Sequence, residues 1–250
     1  MLLINIIYLI LMLILLTLIA GILPLIERKL LSLMQRRVGP HFLGYRGRLQ
    51  FIADALKILM KDFFIPFHTN KYIFILSPSV FLSFCYLFWL NIFWGKNLIY
   101  YDIEYNLVWL ILLSIFSNIL IVLTGYYSNN KYAFISSIRT SITFFTLELL
   151  MGLFFLNLIL INQSFSLLYF WHWQEEFFLI IYFLFLIPII FIIILLEVNK
   201  APFDLNEAES ELVTGFHTEY GSFLFALYYL GEYFHIFFFS ITIIIMLFGC

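Results

Sequence analysis

Five long runs that lack Asp, Glu, Lys and Arg constrain the fold of this 250-residue chain more than any other feature. A helix needs roughly 20 apolar residues to cross the hydrocarbon core of a bilayer. The runs reach that length, and they are continuously apolar instead of alternating like the strands of a membrane β-barrel. Only 11% of all residues are charged, against about 25% in soluble domains. The charge-free runs cover residues 1–26, 72–95, 105–130, 149–174 and 177–196.

These runs predict an all-α, polytopic membrane protein whose 250 residues form a single membrane domain of about six transmembrane helices. The first run has neither the basic n-region nor the cleavage site of a signal peptide, so we expect it to be the first span. The predicted spans are residues 2–26, 72–94, 105–127, 140–161, 177–198 and 217–248.

The basic residues predict the orientation of these spans. Of the 13 Lys and Arg residues, nine lie in loop 27–71, two in loop 128–139 and one in loop 199–216. The positive-inside rule therefore places these three loops on the inner side of the membrane. Both termini are then expected on the opposite side.

The first inner loop contains a second predicted element. Gly39, Pro40 and Gly44 interrupt any helix, but apolar residues recur at helical spacing over 48–63. This pattern predicts an amphipathic helix on the membrane surface, although its cations could simply contact anionic lipid. Asp54 and Lys57, three residues apart, are expected on the same face.

Carboxylates are concentrated where the rest of the chain is apolar. In the acidic inner loop 199–216, the Asp204-x-x-Glu207 pattern fits a helix cap, which would explain those two residues without a further role. Glu148 lies about 13 Å into a predicted span, where an acid is a functional hypothesis by default. The alternative for it is a neutral acid bonded to a neighbouring helix. Acids at several depths suggest a proton path: Glu148, Glu197, Glu219 and Glu232.

Other types of site have little support in the sequence. The two cysteines, Cys85 and Cys250, have no ligand spacing, and neither have the histidines, so we expect no metal site. The few, scattered glycines do not form a phosphate-binding loop. Nothing indicates a nucleic-acid partner.

Several motifs together resemble the subunit 1 family of respiratory complex I, the NADH:ubiquinone oxidoreductase. The similarity extends over essentially the whole chain, and the last motif is highly specific. The motifs are Glu27-Arg28-Lys29, Gln35-x-Arg37-x-Gly39-Pro40, Asp54-x-x-Lys57, Asn129-x-Lys131-Tyr132-Ala133 and Ala201-Pro202-Phe203-Asp204-Leu205 with Glu207-x-Glu209-Ser210-Glu211.

The resemblance implies a subunit that forms most of a ubiquinone cavity and carries no complete active site and no redox cofactor itself. NADH, FMN and iron–sulfur clusters would be bound by partner subunits. The cavity residues implied are Arg28, Gln35, Arg37, Asp54 and Lys57, with Phe203, Asp204, Glu207, Glu209 and Glu211 in the adjacent loop. The acids Glu148, Glu197, Glu219 and Glu232 match the family's proton path.

It also implies a location and a set of partners. The protein would be a multi-pass protein of the mitochondrial inner membrane, with loops 27–71, 128–139 and 199–216 in the matrix and both termini facing the intermembrane space. Partners would be the hydrophilic quinone-module subunits, small membrane subunits and lipids. The family usually has eight spans, so we expect two further helices to be supplied by a separate chain or to be lost.

Three other functions fit part of the sequence. The membrane anchor of a related membrane-bound hydrogenase would share the fold without needing a quinone. An independent ion channel or transporter would be expected to show internal repeats. A purely structural anchor leaves Glu148 and Glu232 without an explanation.

Overall fold

The computed structural model describes residues 2–62, 64–92, 104–174, 179–181, 183–197, 199, 203 and 212–248. All regular structure in these ranges is helical, which confirms the predicted all-α polytopic fold class. Short 3-10 turns occur at Tyr45–Gly47, Leu179–Ile181 and Gly215–His217. The α-helices are α1 Leu2–Met34, α2 Gln50–Leu59, α3 Lys71–Leu90, α4 Asn106–Tyr127, α5 Lys131–Asn162, α6 Leu167–Trp173, α7 Ile187–Glu197 and α8 Ser222–Phe248.

Five helices in the described ranges are long and apolar enough to span a membrane: α1 from Tyr8 onward, α3, α4, α5 and α8. The sixth predicted span, 177–198, is represented by α7, which has 11 residues. At 1.5 Å per residue α7 reaches about 16 Å, roughly half of a hydrocarbon core. Residues 177, 178, 182 and 198 of that span lie outside the described ranges.

Two helices extend well into segments that were predicted as loops. Helix α1 continues to Met34, past the predicted loop start at residue 27. Helix α5 begins at Lys131, where the Asn130 side chain accepts a hydrogen bond from the Tyr132 backbone N–H at 3.0 Å. Its 32 residues correspond to about 48 Å. A charged residue marks the edge of the hydrocarbon, and a helix can continue beyond that edge.

The chain forms two compact units. The first unit comprises Met1–Phe64 and Tyr220–Phe234, and the second comprises Ile65–Glu219 and His235–Cys250. Helix α8 therefore contributes its first half to one unit and its second half to the other.

In the first unit, the segment between α1 and α2 folds back on itself. The Lys29 Nζ donates a hydrogen bond to the Arg46 carbonyl at 2.6 Å. Gly47 has a φ of +73°, and a Cβ there would lie 2.1 Å from the Pro40 carbonyl oxygen. Only glycine fits this position, because any side chain would collide with backbone.

In the second unit, α4 packs against α3 and α5, and α7 packs against α5. Small residues let α4 and α5 approach closely, as is usual between membrane helices. A Cβ on Gly125 would lie 2.6 Å from the Ser137 Cβ and 2.7 Å from the Ala133 carbonyl oxygen. This close contact holds the polar side chains of α4 and α5 in fixed relative positions.

Candidate functional site

The first unit contains an apolar cavity of about 400 Å³. Its walls come from α1, α2 and the first half of α8. The volume lies within the range of about 300–1,000 Å³ that is usual for small-molecule sites. The lining residues are Gly21, Pro24, Leu25, Arg28, Phe51, Asp54, Ala55, Ile58, Leu59, Phe223, Phe225, Ala226, Leu227, Tyr229 and Leu230.

An ion pair lies in the wall of this cavity. The Arg28 Nη1 donates to the Asp54 Oδ2 at 2.6 Å, and the Gln50 Nε2 donates to the Asp54 Oδ1 at 3.1 Å. The side chains of Arg28 and Asp54 are 50% and 34% exposed. Asp54 is thus oriented by partners on two helices, while Lys57 lies on the exposed surface of α2. A few fixed polar groups in an apolar wall are typical of a ligand site.

Two tyrosines connect the cavity wall to a second acid, Glu27. Tyr229 lines the cavity, and its hydroxyl lies 3.4 Å from the Tyr233 hydroxyl. The Tyr233 hydroxyl donates to the Glu27 Oε2 at 2.8 Å. Tyr233 is buried and Glu27 is half-buried. The three side chains form a hydrogen-bonded path that begins at the cavity.

The second unit contains a cluster of two carboxyl groups. The Asn118 Nδ2 donates to the Glu148 Oε1 at 2.9 Å and to the Glu197 Oε1 at 3.3 Å. These residues come from α4, α5 and α7. Asn118 and Glu197 are buried and Glu148 is half-buried. The structure therefore brings together two of the four predicted acids through one amide.

Both carboxyl groups border a small cavity of about 20 Å³. A site of this volume can hold about one water molecule when polar partners are present. Ser114 and Thr242 line it as well. Glu148 also borders a second cavity, of about 230 Å³, between α4 and α5.

The remaining predicted acids lie elsewhere. The Glu219 Oε1 accepts a hydrogen bond from the Asn130 Nδ2 at 2.7 Å, within the second unit. Glu232 is half-buried on α8 in the first unit. Both side chains are partly buried. Each stays a predicted member of the proton path.

The other predicted cavity residues are separate from the cavity or outside the described ranges. The Arg37 Nε donates to the Gln35 Oε1 at 2.6 Å, and both residues are exposed beyond the end of α1. Neither lines the cavity. Phe203 is half-buried. Asp204, Glu207, Glu209 and Glu211 lie outside the described residues, and in the described part of the chain no three acids, histidines or cysteines are grouped for a metal.

Sequence reasoning missed Asn118, Glu27, Tyr229 and Tyr233 as members of these sites. Asn118 lies in a predicted span, where a side-chain amide also needs a hydrogen-bond partner. That requirement could have revealed it. The two tyrosines are four residues apart on one helix face, but nothing in the sequence pairs them with Glu27.

The chain matches the NADH dehydrogenase family over residues 6–250. It is 51% identical to the NADH-ubiquinone oxidoreductase chain 1 of Paramecium tetraurelia, over 97% of this chain and 93% of that protein. It is 39% identical to an NADH-quinone oxidoreductase subunit of Rhodospirillum centenum, over 83% of this chain and 62% of that protein. A chain 1 protein of Chondrus crispus is 36% identical over 84% of this chain and 64% of its own length. The chain thus spans less than two thirds of the length of the bacterial and algal relatives.

The helices and the comparisons together define a multi-pass membrane protein that is similar to subunits of NADH–quinone oxidoreductases. The chain belongs to the NADH dehydrogenase family. The predicted family is therefore confirmed, and with it, at the level of the family, the prediction of a subunit of an oxidoreductase. The mitochondrial relatives fit a location in the inner membrane.

Proposed function

We propose that this chain is the membrane subunit that forms the wall of the ubiquinone cavity in a respiratory NADH–quinone oxidoreductase and the beginning of its proton path. The observation that carries the proposal is the apolar cavity of about 400 Å³ with the Arg28–Asp54 pair in its wall. Ubiquinone is an apolar ring and isoprenoid chain with two carbonyl oxygens. The apolar lining suits the ring or chain, and the Arg28 guanidinium can donate to a carbonyl oxygen.

In this proposal the chain binds the quinone and handles protons, while electrons come from NADH, FMN and iron–sulfur clusters in partner subunits. Reduction of a quinone to a quinol takes up two electrons and two protons. The path Tyr229–Tyr233–Glu27 offers one route for a proton to the cavity. Because the cavity is apolar, a charge that develops there interacts strongly with nearby acids.

The acids Glu148, Glu197, Glu219 and Glu232 would carry protons onward, as the family resemblance implies. Loop 199–216, with Phe203, Asp204, Glu207, Glu209 and Glu211, would change conformation as the charge in the cavity changes, since a switch needs an element with two arrangements. Gln35, Arg37 and Lys57 would complete the surroundings of the quinone when the subunit is assembled.

The proposed setting is the mitochondrial inner membrane. Loops 27–71, 128–139 and 199–216 would face the matrix and the termini the intermembrane space. The distribution of Lys and Arg supports this orientation. The mitochondrial relatives, which are named as NADH-ubiquinone oxidoreductase chains, support the location.

The proposed partners are the hydrophilic quinone-module subunits, small membrane subunits and lipids. A native gel in mild detergent, stained for NADH oxidation and followed by mass spectrometry of the band, tests all of them. We expect this chain beside the hydrophilic subunits and small membrane subunits. Hydrogen-dependent instead of NADH-dependent turnover of the band would favour the hydrogenase anchor.

The cavity itself is tested by photolabelling the assembled complex with an azido-ubiquinone. We expect labelled peptides from α1 and α2, and protection by unmodified ubiquinone. Arg28→Met should raise the quinone KM about tenfold, since a hydrogen bond from a charged group contributes about 1.5 kcal/mol or more. Arg48→Met is the matched control, because Arg48 is exposed and does not line the cavity. Label confined to other chains, or equal KM values in the two variants, would contradict the proposal.

A further inference from the structure

We propose that Asn118 is a positioning residue that joins Glu148 and Glu197 into one proton-sharing pair around a single bound water molecule. The inference rests on the proposed function, because it describes how two acids of the proposed path exchange a proton. It adds a residue and a water site to that path.

The Asn118 amide connects the two carboxyl groups. An amide nitrogen has two N–H donors, and the Asn118 Nδ2 uses them on two carboxyl oxygens at 2.9 and 3.3 Å. These contacts place the two Oε1 atoms within about 6 Å of each other. Asn118 is 4% exposed, and its amide nitrogen contacts one oxygen of each carboxyl group.

The two carboxyl groups lie in mostly apolar surroundings. None of the described residues that line the small cavity is basic. Two carboxylates this close in apolar surroundings repel each other, so a shared site favours one proton between the two groups. Asn118 can donate to whichever carboxyl is ionised, and it needs no rearrangement when the proton changes sides.

One carboxyl oxygen of the pair, the Glu197 Oε2, remains available to a water molecule. The Glu197 Oε2 is buried without a hydrogen-bond partner, although Glu197 lines a cavity large enough for one water molecule. The Ser114 and Thr242 hydroxyls that also line the cavity donate to backbone carbonyls at 2.8 and 3.0 Å. Their lone pairs remain able to accept from a water. A water there has the two to four polar partners that a buried water requires.

The transfer balances in protons. One carboxylic acid gives its O–H proton to the water oxygen, while the same water gives one of its own protons to the other carboxylate. The water is unchanged, and the negative charge has moved from one carboxylate to the other. Glu148 also borders the larger cavity between α4 and α5, which gives the proton an exit from the pair.

The experiment uses the assembled complex and infrared difference spectra between samples in H2O and in D2O. Such spectra report protonated carboxyl groups without requiring turnover. We expect Glu148→Gln to shift the carboxyl band of the remaining Glu197, and we expect that shift to vanish when Glu148→Gln is combined with Asn118→Leu. Samples in H2-18O should shift an O–H band of the bound water in the wild type, and a spectrum without such a band would overturn the water site. Asn106→Leu is the matched control, because Asn106 is buried on the same helix and donates to the Asn91 carbonyl.

A Glu197 band that stays in place in Glu148→Gln would overturn the pairing, and this comparison needs no change at Asn118. A band shift that persists in the double variant would overturn the role of Asn118. Because the spectra do not depend on quinone reduction, either result is distinguishable from a failure of the quinone proposal, which the photolabelling reads separately.

Discussion

The Tyr233 hydroxyl is the point at which the path from the apolar cavity to Glu27 can be cut with the smallest change. Tyr233→Phe removes one oxygen and keeps a ring that is 3% exposed. The variant therefore loses the 2.8 Å hydrogen bond to the Glu27 Oε2 and the 3.4 Å contact with the Tyr229 hydroxyl. The packing of the aromatic ring is retained.

The expected magnitude follows from the burial of the two partners. A hydrogen bond to a charged group contributes about 1.5–3 kcal/mol. Glu27 is half-buried, so water can replace part of the lost interaction, and we take the lower end of that range. About 1.5 kcal/mol in an activation barrier corresponds to about a tenfold change in rate. The ring itself fills the same space, so no cavity penalty is added.

The assay is NADH–ubiquinone reductase activity of the assembled complex at saturating quinone, divided by NADH oxidation with an artificial acceptor. We expect about a tenfold lower ratio for Tyr233→Phe and no change for Tyr8→Phe, whose hydroxyl belongs to a ring that is 53% exposed. Glu27→Gln should lower the ratio as well, and the double variant should be less than additive, as expected for neighbours in one network. A ratio for Tyr233→Phe within about twofold of wild type would refute the path.

Two further predictions concern the same unit. Asp54→Asn should change the quinone KM while the complex still assembles. The Arg28–Asp54 pair is partly exposed, and such pairs contribute only about 0–1 kcal/mol to stability. Quinone kinetics and native gels of the purified variant check this. Gly47→Ala should lower the yield and thermal stability of the complex, because its φ of +73° costs a non-glycine residue about 1–2 kcal/mol and its Cβ would collide with backbone. Gly152→Ala is the control, with nothing within 4 Å of the added Cβ, and equal melting temperatures for the two variants would contradict the argument.

The fold was predictable from hydropathy because a bilayer admits few backbone solutions. Hydropathy counts composition and ignores where a helix can start. The predicted span 177–198 is therefore longer than α7, which has 11 residues. Pro188 lies in the first turn of α7, where its missing N–H costs nothing. A proline is compatible with a helix that begins there, but it does not by itself exclude a longer span, since Pro24 and Pro78 lie inside α1 and α3.

The sequence indicated the acids of the site because they are charged residues in an apolar chain. Sequence spacing placed Asp54 and Lys57 on the same helix face, but the ionic partner of Asp54 is Arg28, 26 residues away on another helix. Local periodicity cannot indicate such a partner. Asn118 was missed because it carries no charge, although it contacts two of the predicted acids. Arg28 and Asp54, which the family resemblance implied as quinone-cavity residues, both line the apolar cavity of the first unit, whereas sequence spacing does not pair them.

Asn130 ties the beginning of one helix to an acid. Its side-chain oxygen caps α5, and its nitrogen binds Glu219 at 2.7 Å. Glu148 lies 18 residues further along that helix, about 27 Å away. One side-chain amide thus holds both Glu219 and the first turn of the helix that carries Glu148. Loss of the Asn130 amide would therefore release the acid and the start of that helix in a single step.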